Sequence, residues 1–222
     1  MDIPSQGRKY SGVMSTALAE RYAFKARQQL ERGDPVREIQ AVNLPITGRI
    51  IADIAAGPGQ WTAALAMAGA RQVVWADKSS HMLTLSKKLH QSLAVQPSYV
   101  LGALEAIPLA DRCVDGALCF DAIYHSPDQR GTARELYRII RKGGFLWLRT
   151  RTFRRVLLPP VRHWKAPVLA CAPVLHWALG LRIAGNIFAI PSLLRHDLVK
   201  AGFRVQISRR VDSSTWEIIA SK

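Results

Sequence analysis

Short apolar runs alternate with amphipathic segments along most of the chain. The runs "RIIADI", "RQVVWAD", "VDGALCF" and "FLWLRTR" are each bounded by polar or glycine-containing turns, a pattern typical of strands buried on both faces. Between them lie segments with helical spacing of apolar residues, such as residues 80–93. Strands that alternate with helices predict an α/β fold built on a parallel sheet.

The two ends of the chain extend this pattern. Helical spacing predicts helices over residues 10–32 and 35–42. "DQRGTARELYRIIRKGG" predicts a helix that runs up to paired glycines, and "SLLRHDLVKAGF" predicts one that stops at Gly202. "PSYVLGAL" is a further strand, and "RVQISRRV" and "TWEIIAS" predict an antiparallel pair. We therefore expect a Rossmann-like, seven-stranded, mostly parallel sheet with helices on both faces and an antiparallel C-terminal hairpin.

We predict one domain with four parts, because 222 residues with 49% apolar content can form one sizeable core. The parts are an N-terminal helical cap (1–45), a cofactor-binding core (46–153), an insert (154–191), and a C-terminal helix and hairpin (192–222). The insert is apolar with basic flanks, and its longest charge-free run, 166–181, has 16 residues. A membrane-spanning helix needs about 20, so a substrate cap, a membrane contact and a core helix remain open for this segment.

The chain is strongly basic, with 31 Lys and Arg against 16 Asp and Glu and a net charge of +15. No acidic residue lies between Glu135 and Asp197, a stretch that holds eleven basic ones. Such a field attracts nucleic acid, anionic lipid or an acidic substrate, or it forms a solvated face. The cysteines Cys113, Cys119 and Cys171 have no metal-binding spacing, and no secretory signal is recognisable, so we expect a cytoplasmic, metal-free protein. Peripheral contact with an anionic membrane is the alternative location.

A glycine-containing bend follows the first predicted strand. The stretch from Asp53 to Gly59 has glycine at positions 57 and 59, where a ligand can lie against bare backbone at the start of a helix. Asp77 ends the next strand, where a carboxylate can bind ribose hydroxyls. A dinucleotide site needs a third glycine where Thr62 stands. The bend therefore favours S-adenosyl-L-methionine (SAM) over a dinucleotide.

Three stretches in series resemble the motifs of class I SAM-dependent methyltransferases. They are "IIADIAAGPGQWTAALAMAGA", "VVWADKSSHMLTLSKKL" and "VLGALEAIPLADRCVDGALCFDAIYHSPDQRGTARELYRIIRKGGFLWL". The last includes the family's Arg-x-Leu-Lys-Pro-Gly-Gly-type turn, here at 141–144. The pattern is most similar to the ubiquinone/menaquinone-biosynthesis group, the methyltransferase type 11-like proteins. The resemblance extends well over residues 50–150 and loosely over the last 30. It implies a methyl transferase with SAM as its cofactor.

Carried over by position, the resemblance implies ten cofactor-binding residues: Asp53, Ala55, Gly57, Gly59, Asp77, Lys78, Met82, Leu104, Glu105 and Phe120. Asp53 and the two glycines correspond to the methionine end of SAM, and Asp77 to the ribose. Lys78 and Met82 correspond to the face of the adenine, and Leu104 and Glu105 to its edge. The family often has Asp after the glycine that follows the third strand, whereas this chain has Ala103 after Gly102. Adenine recognition would then depend on backbone groups or Glu105.

Candidate catalytic residues follow the fourth predicted strand. Asp121, Tyr124 and His125 come just beyond its carboxyl end, where open α/β sheets bind ligands. His125 matches a histidine that the resembled family often has there, and it serves as a base, orients a hydroxyl, or simply caps a helix. Tyr10 and Tyr22 either close over the cofactor or pack in the N-terminal cap.

The sequence leaves three functions open. The first is methyl transfer to a small, lipophilic acceptor such as a quinone, a polyketide or a lipid-like molecule, which the insert would contact through its aromatic residues His163, Trp164, His176 and Trp177. The second is RNA methylation, which the basic segment suggests, although no separate RNA-binding module is recognisable. The third is a non-catalytic binding or scaffold protein that keeps the fold.

Overall fold

A computed structural model describes residues 16–152 and 189–222 and contains one seven-stranded sheet. The strand order across the sheet is β3-β2-β1-β4-β5-β7-β6. The strands are β1 (Ile50–Ile54), β2 (Gln72–Asp77), β3 (Ser98–Leu101), β4 (Val114–Phe120), β5 (Ile140–Arg151), β6 (Arg204–Arg210) and β7 (Thr215–Ser221). The predicted fold class is confirmed: β1 to β5 pair in parallel, and β7 pairs antiparallel with both β5 and β6.

Six α-helices and one short 3₁₀ helix connect or flank these strands in the described ranges. They are α1 (Thr16–Glu31), α2 (Asp34–Val42), α3 (Gln60–Met67), α4 (Ser80–Ser92), the 3₁₀ helix (Ile123–His125), α5 (Gln129–Ile139) and α6 (Pro191–Ala201). Side chains fix two of their starts: Ser79 accepts from the Met82 amide before α4, and Asp128 accepts from the Gly131 amide before α5. Such caps satisfy N–H groups that a helix leaves free at its first turn.

The sheet has an apolar core on each face, which explains why β1, β4 and β5 read as nearly continuous apolar runs. On one face, Leu136 of α5 and Leu198 of α6 pack against sheet residues such as Leu146. On the other, Ile39 of α2 and Leu65 of α3 pack against residues that include Ile51, Leu118 and Trp147. The strands are thus held rigidly, and their carboxyl ends present the loops that carry the candidate site.

The helix before β5 ends earlier than we predicted. Helix α5 stops at Ile139, and residues 140–144 already belong to β5, with a register shift opposite β4. The reason is tertiary packing: a Cβ on Gly144 would lie 2.4 Å from the Asp115 carbonyl oxygen. Gly144 therefore lets two backbones approach closely rather than ending a helix.

Several predictions fall on residues outside the described ranges. They concern Tyr10 and nearly all of the insert, including His163, Trp164, His176 and Trp177, so the role of the insert stays a prediction. Within the described ranges, no helix is long and apolar enough to cross a membrane.

Candidate functional site

The loop between β1 and α3 turns sharply at the carboxyl end of β1, next to the point between β1 and β4 where the strand order reverses. Ala55, Gly57 and Gly59 have φ values of 57°, 54° and 89°, in the left-handed region that glycine tolerates best. The turn is closed by backbone bonds from the Ala56 amide to the Ala76 carbonyl oxygen (3.1 Å) and from the Gly59 amide to the Ala56 carbonyl oxygen (3.1 Å). This crevice between β1 and β4 is where open α/β sheets hold ligands.

Asp77 lies directly against this bend, as the sequence predicted. One carboxylate oxygen accepts from the Gly57 amide at 2.9 Å, and the other accepts from the Ser79 amide at 2.9 Å. Each carboxylate oxygen can accept a second hydrogen bond. The side chain is therefore fixed in place with acceptor capacity left for a ligand hydroxyl.

Two side chains from neighbouring elements hold the carbonyl groups of the bend. The Trp75 indole N–H donates to the Gly57 carbonyl oxygen at 3.0 Å. His90, fully buried in α4, places Nε2 2.9 Å from the Gly59 carbonyl oxygen and Nδ1 2.8 Å from the Tyr99 hydroxyl. A carbonyl only accepts, so Nε2 carries the proton and Nδ1 accepts from Tyr99. Burial lowers the pKa of His90, although its bond to Gly59 opposes the shift, which fits this neutral form.

The two glycines of the bend have different surroundings. Among the described residues, no atom lies within 4 Å of the point where a Cβ on Gly57 would stand, so its backbone faces open space. A Cβ on Gly59 would instead lie 2.5 Å from His90 Nε2. Gly57 therefore leaves room for a ligand, whereas Gly59 permits close packing of the bend on α4.

Asp53 and Asp77 place two desolvated carboxylates beside each other. Asp53 is buried and accepts from the Thr62 hydroxyl at 2.7 Å. Burial, with a smaller contribution from the charge of Asp77, raises the pKa of Asp53 to about 7, although the bond from Thr62 opposes this shift. Burial also raises the pKa of Asp77. Within the described ranges, neither carboxylate has an ion pair at 4.0 Å or less, so the site favours a ligand that brings positive charge.

The residues predicted to surround the adenine lie along α4 and the loop after β3. Met82 is buried in a small apolar cluster with Ala56 of the bend, while Lys78 is exposed beside Asp77. Leu104 is half-buried against the core. Glu105 accepts from the Ser126 hydroxyl at 2.5 Å, which ties this loop to the one after β4.

Phe120, at the end of β4, directs its ring into an aromatic cluster. Its centroid lies 4.7 Å from the Trp61 ring and 4.9 Å from the Trp147 ring, both edge-on. The Arg149 guanidinium lies 5.0 Å from the Phe120 centroid and 4.8 Å from that of Trp147. This cluster fixes the start of α3, where Trp61 lies, against β4 and β5. The Phe120 ring thus packs against Trp61 and Trp147.

The three predicted catalytic residues come together beyond β4. Asp121 has φ 51°, and its amide donates to the Arg149 carbonyl oxygen at 2.9 Å. Tyr124 is buried, with its ring centroid 4.2 Å from that of the exposed His125. Arg151 of β5 places Nε 3.9 Å from an Asp121 carboxylate oxygen.

The electrostatics of this group keep His125 neutral and Tyr124 protonated. Desolvation lowers the pKa of His125, and the positive charges of Lys78 and Arg151 lower it further. Burial, with the charge of Asp121, raises the pKa of Tyr124 well above its ordinary value. The Tyr22 hydroxyl of α1 lies close enough to contribute to the pKa shifts of Tyr124 and Arg151. The N-terminal cap thus reaches the predicted reactive residues, although Tyr22 itself is exposed.

Sequence reasoning missed several residues that shape this site. The sequence identifies Thr62 only as a residue that stands where a dinucleotide site needs glycine. A hydroxyl in the first turn of α3 is nevertheless well placed to reach the end of β1. His90 lies on the buried stripe of α4 with Met82, Leu85 and Leu89, and a histidine at such a position needs hydrogen-bond partners. Its contacts with Gly59, 31 residues earlier, could not be read from spacing.

Comparison with known proteins gives a family for this part of the chain. Residues 52–148 match the family described as "Methyltransferase domain". The chain is 29% identical over 106 residues to an uncharacterized methyltransferase of Mycobacteroides abscessus, covering 47% of this chain and 40% of that protein. It is 30% identical over 134 residues to the malonyl-[acyl-carrier protein] O-methyltransferase of Yersinia pestis, covering 60% of this chain and 46% of that protein. The chain thus matches less than half the length of these curated relatives.

The architecture has well-matched counterparts among solved structures. A SAM-dependent methyltransferase from Aquifex aeolicus superposes with a TM-score of 0.64 at 18% identity, covering 89% of this chain and 97% of that one. At this identity the likeness concerns the fold. It covers a larger share of the chain than residues 52–148, which match the family.

Proposed function

Because residues 52–148 match the family described as "Methyltransferase domain" and the fold resembles that of a SAM-dependent methyltransferase, we propose that the protein is a class I SAM-dependent methyltransferase that transfers the methyl group of SAM to a small, lipophilic acceptor. One observation carries the proposal: Asp53 and Asp77 are desolvated carboxylates without an ion-pair partner in the described ranges, beside a bend with open space at Gly57. SAM carries an ammonium and a sulfonium, so it supplies the positive charge that these carboxylates lack. When bound, it provides a methyl group on an electrophilic sulfonium.

We infer a division of roles among the residues at the bend. Asp77 holds the ribose hydroxyls with its remaining acceptor capacity, and Asp53 with the Gly57 backbone holds the methionine end. Glu105 and the backbone after Gly102 are the groups available to the adenine edge. Trp75 and His90 position the bend without touching the cofactor, since both bond to its carbonyl groups.

The residues beyond β4 would handle the acceptor. His125 is neutral and exposed toward solvent, so it is able to take a proton from an acceptor hydroxyl. Tyr124 keeps its proton and can donate a hydrogen bond to the acceptor oxygen. The similarity to the Yersinia pestis O-methyltransferase supports oxygen as the methylated atom.

The binding half of the proposal is tested by titrating SAM into the purified protein in a calorimeter. We expect Asp77→Ala to weaken binding by about 1–3 kcal/mol, the cost of a lost charge-assisted hydrogen bond. Asp34→Ala, which removes an exposed carboxylate in α2, serves as the matched control and should bind as the wild type does. Absence of binding at millimolar SAM would favour the non-catalytic scaffold.

The transfer half is tested with methyl-labelled SAM and a total cell extract separated into lipid, small-molecule and RNA fractions. We expect label in the lipid or small-molecule fraction, and its loss in His125→Ala with SAM affinity unchanged. Label confined to RNA would replace the proposed acceptor with the alternative that the basic segment suggests. RNA binding would then also weaken steeply with salt.

A further inference from the structure

A second polar pocket lies at the opposite end of the sheet from the bend. It has a volume of about 70 Å³ and lies where β1, β4 and β5 begin. Its lining includes Arg49 before β1, Asp115 in β4, and Arg141, Lys142 and Gly143 at the start of β5. These last residues form the turn that the sequence singled out, and the proposed methyl transfer makes no use of it.

The charges in this pocket do not balance. Asp115 is buried, with one carboxylate oxygen 3.1 Å from Arg141 NH1 and 3.5 Å from Arg49 NH1. Its other oxygen accepts from the Ile50 amide at 2.8 Å. With Lys142, three cationic side chains line the pocket against one carboxylate. The surplus positive charge has no acidic partner among the lining residues.

Arg141 also has an unused donor. Its NH1 faces Asp115 and its NH2 donates to the Cys113 carbonyl oxygen at 3.1 Å. Its Nε is buried and lacks a hydrogen-bond partner in the ranges 16–152 and 189–222. A buried donor of this kind normally has a partner, but Nε is closed off from the pocket, so the charges of Arg49, Arg141 and Lys142 are what suit the pocket to an oxygen anion.

We propose that this pocket binds a phosphate-type oxyanion, held by Arg49, Arg141 and Lys142. The volume favours a small group: it exceeds the roughly 10–15 Å³ that a cavity needs to hold one water and is far below the 300 Å³ or more typical of drug-sized ligands. Guanidinium groups match the planar spread of phosphate oxygens, and lysine adds a point charge. Open space at Gly143, whose Cβ position has no described atom within 4 Å, leaves room above the turn.

The surrounding surface is complementary to such a group. Arg71, Arg112 and Arg204 are exposed and stand at or just before the starts of β2, β4 and β6 at this end of the sheet. They raise the local positive potential and would attract a phosphorylated ligand before the pocket binds it. The ligand is a free phosphorylated molecule or a phosphate headgroup at a lipid surface.

The test is calorimetric titration of the full chain with inorganic phosphate at constant ionic strength. We expect one saturable site, weakened about tenfold or more in the double variant Arg49→Ala with Lys142→Ala. Arg141→Lys keeps a positive charge near Asp115 but removes the planar guanidinium, which matches phosphate oxygens better than an ammonium does, so it should also weaken binding. The matched control, Arg71→Ala with Arg204→Ala, removes the same charge outside the pocket and should weaken phosphate binding much less than the pocket double variant does.

Vesicles then distinguish the two sources. If vesicles of phosphatidylcholine with phosphatidic acid bind the protein, and inorganic phosphate displaces it, a lipid headgroup occupies the pocket. If phosphate saturates the site but these vesicles do not bind, the ligand is a free phosphorylated molecule. Absence of saturation, or equal weakening in the control pair, overturns the proposal. SAM titration of the same variants should be unchanged, so this outcome is independent of the methyl-transfer result.

Discussion

Gly57 and Gly59 share a left-handed backbone but serve different needs. At Gly57 the space beside the backbone is open, and at Gly59 it is filled by the His90 imidazole. The sequence treats them alike, as two glycines of one motif. The structure separates them, because a contact from α4 reaches only the second.

At residue scale we first predict that Gly57→Ala impairs binding more than folding. An alanine at φ 54° costs about 1–2 kcal/mol, and its methyl group would stand where the backbone faces the ligand space. We expect SAM affinity to fall at least about tenfold, equivalent to about 1.4 kcal/mol. Calorimetry measures the affinity, and urea unfolding without SAM measures the stability. Unchanged affinity would remove the cofactor from this bend.

Gly59→Ala should instead impair folding more than it impairs SAM binding. The same backbone cost applies at φ 89°, and the new methyl group would lie 2.5 Å from a buried imidazole that is held at both nitrogens. We expect a loss of about 3 kcal/mol or more in the free energy of unfolding, since strain and a core clash combine. Urea unfolding measures it, with Gly57→Ala as the matched control. Equal losses in the two variants would mean that the His90 contact has little influence.

Asp53 gives a stability effect that depends on pH. The pKa of Asp53 is about 7 in the folded protein against an ordinary value of 3.8. The contribution of the protonated carboxyl to the free energy of unfolding is therefore fully present below about pH 4 and is lost as the pH rises to about 7. Asparagine can still accept from Thr62 but never ionises. As the pH rises across this window, the free energy of unfolding of Asp53→Asn should therefore increase relative to that of the wild type by up to about 1.4 kcal/mol per pH unit. Urea unfolding of the SAM-free protein at pH 5, 6, 7 and 8 measures the difference, and a constant difference contradicts the prediction.

The sequence predicted the positions of Asp53, Asp77 and the bend because they follow consecutive strands of a parallel sheet. It could not predict that Phe120 turns its ring into a cluster with Trp61 and Trp147. That orientation depends on which face of β4 meets α3, and neighbouring aromatic residues decide it. It also overlooked Ser126, whose bond to Glu105 joins loops 21 residues apart.

At element scale, a buried ion network joins the edge hairpin and α2 to the centre of the sheet. Glu217 of β7 is 1% exposed and accepts from the Trp147 indole at 2.9 Å, while Arg149 and Arg209 bring their guanidinium groups to it. Arg149 also pairs with Glu38 of α2. Burial raises the pKa of Glu217, but the bonds from Trp147 and Arg209 and the charge of Arg149 outweigh it and hold the pKa low.

We predict that Glu217→Gln is strongly destabilising. Loss of the charge leaves two guanidinium groups facing a neutral amide. Arg149 keeps its pair with Glu38 and Arg209 is largely exposed, so the cost is that of lost charged hydrogen bonds, about 1.5–3 kcal/mol. Glu38→Gln removes the other carboxylate on Arg149, but its side chain is 42% exposed, so its loss should cost no more than about 1 kcal/mol. Urea unfolding compares the two variants, and similar losses would place the stabilising interaction elsewhere.

The elements themselves were largely predictable, because most strands carry an apolar run of their own and β6 alternates apolar with polar residues. The exception at the start of β5 is instructive. Arg141 and Lys142 continue the helical pattern of α5 and are followed by two glycines, which predicts a helix end. These residues nevertheless form the start of β5, because Gly144 packs on the backbone of β4. The contact of Gly144 with Asp115, 29 residues earlier in the chain, therefore outweighs the local helix propensity.

At the scale of the whole molecule, SAM should stabilise the fold as a unit, because its proposed site joins loops from three strands. At a SAM concentration of 100 times the Kd, linkage adds about 2.7 kcal/mol. For a chain of this size that corresponds to a rise in Tm of about 5–11 °C. Thermal denaturation with and without SAM measures the rise, and Asp77→Ala at the same SAM concentration is the control. A rise of equal size in that variant would point to binding elsewhere.

The order of strands also determines how this protein can fold while it is being made. Strand β7, the last of the sheet along the chain, lies inside it, between β5 and β6. A ribosome therefore releases β5 with one edge unpaired, and that edge waits until β7 has emerged. The half of the sheet that carries the bend can assemble early, whereas the open edge of β5 can pair with other nascent chains in the meantime. A chaperone that shields this edge during synthesis would protect the yield of folded protein without any contact with the candidate active site.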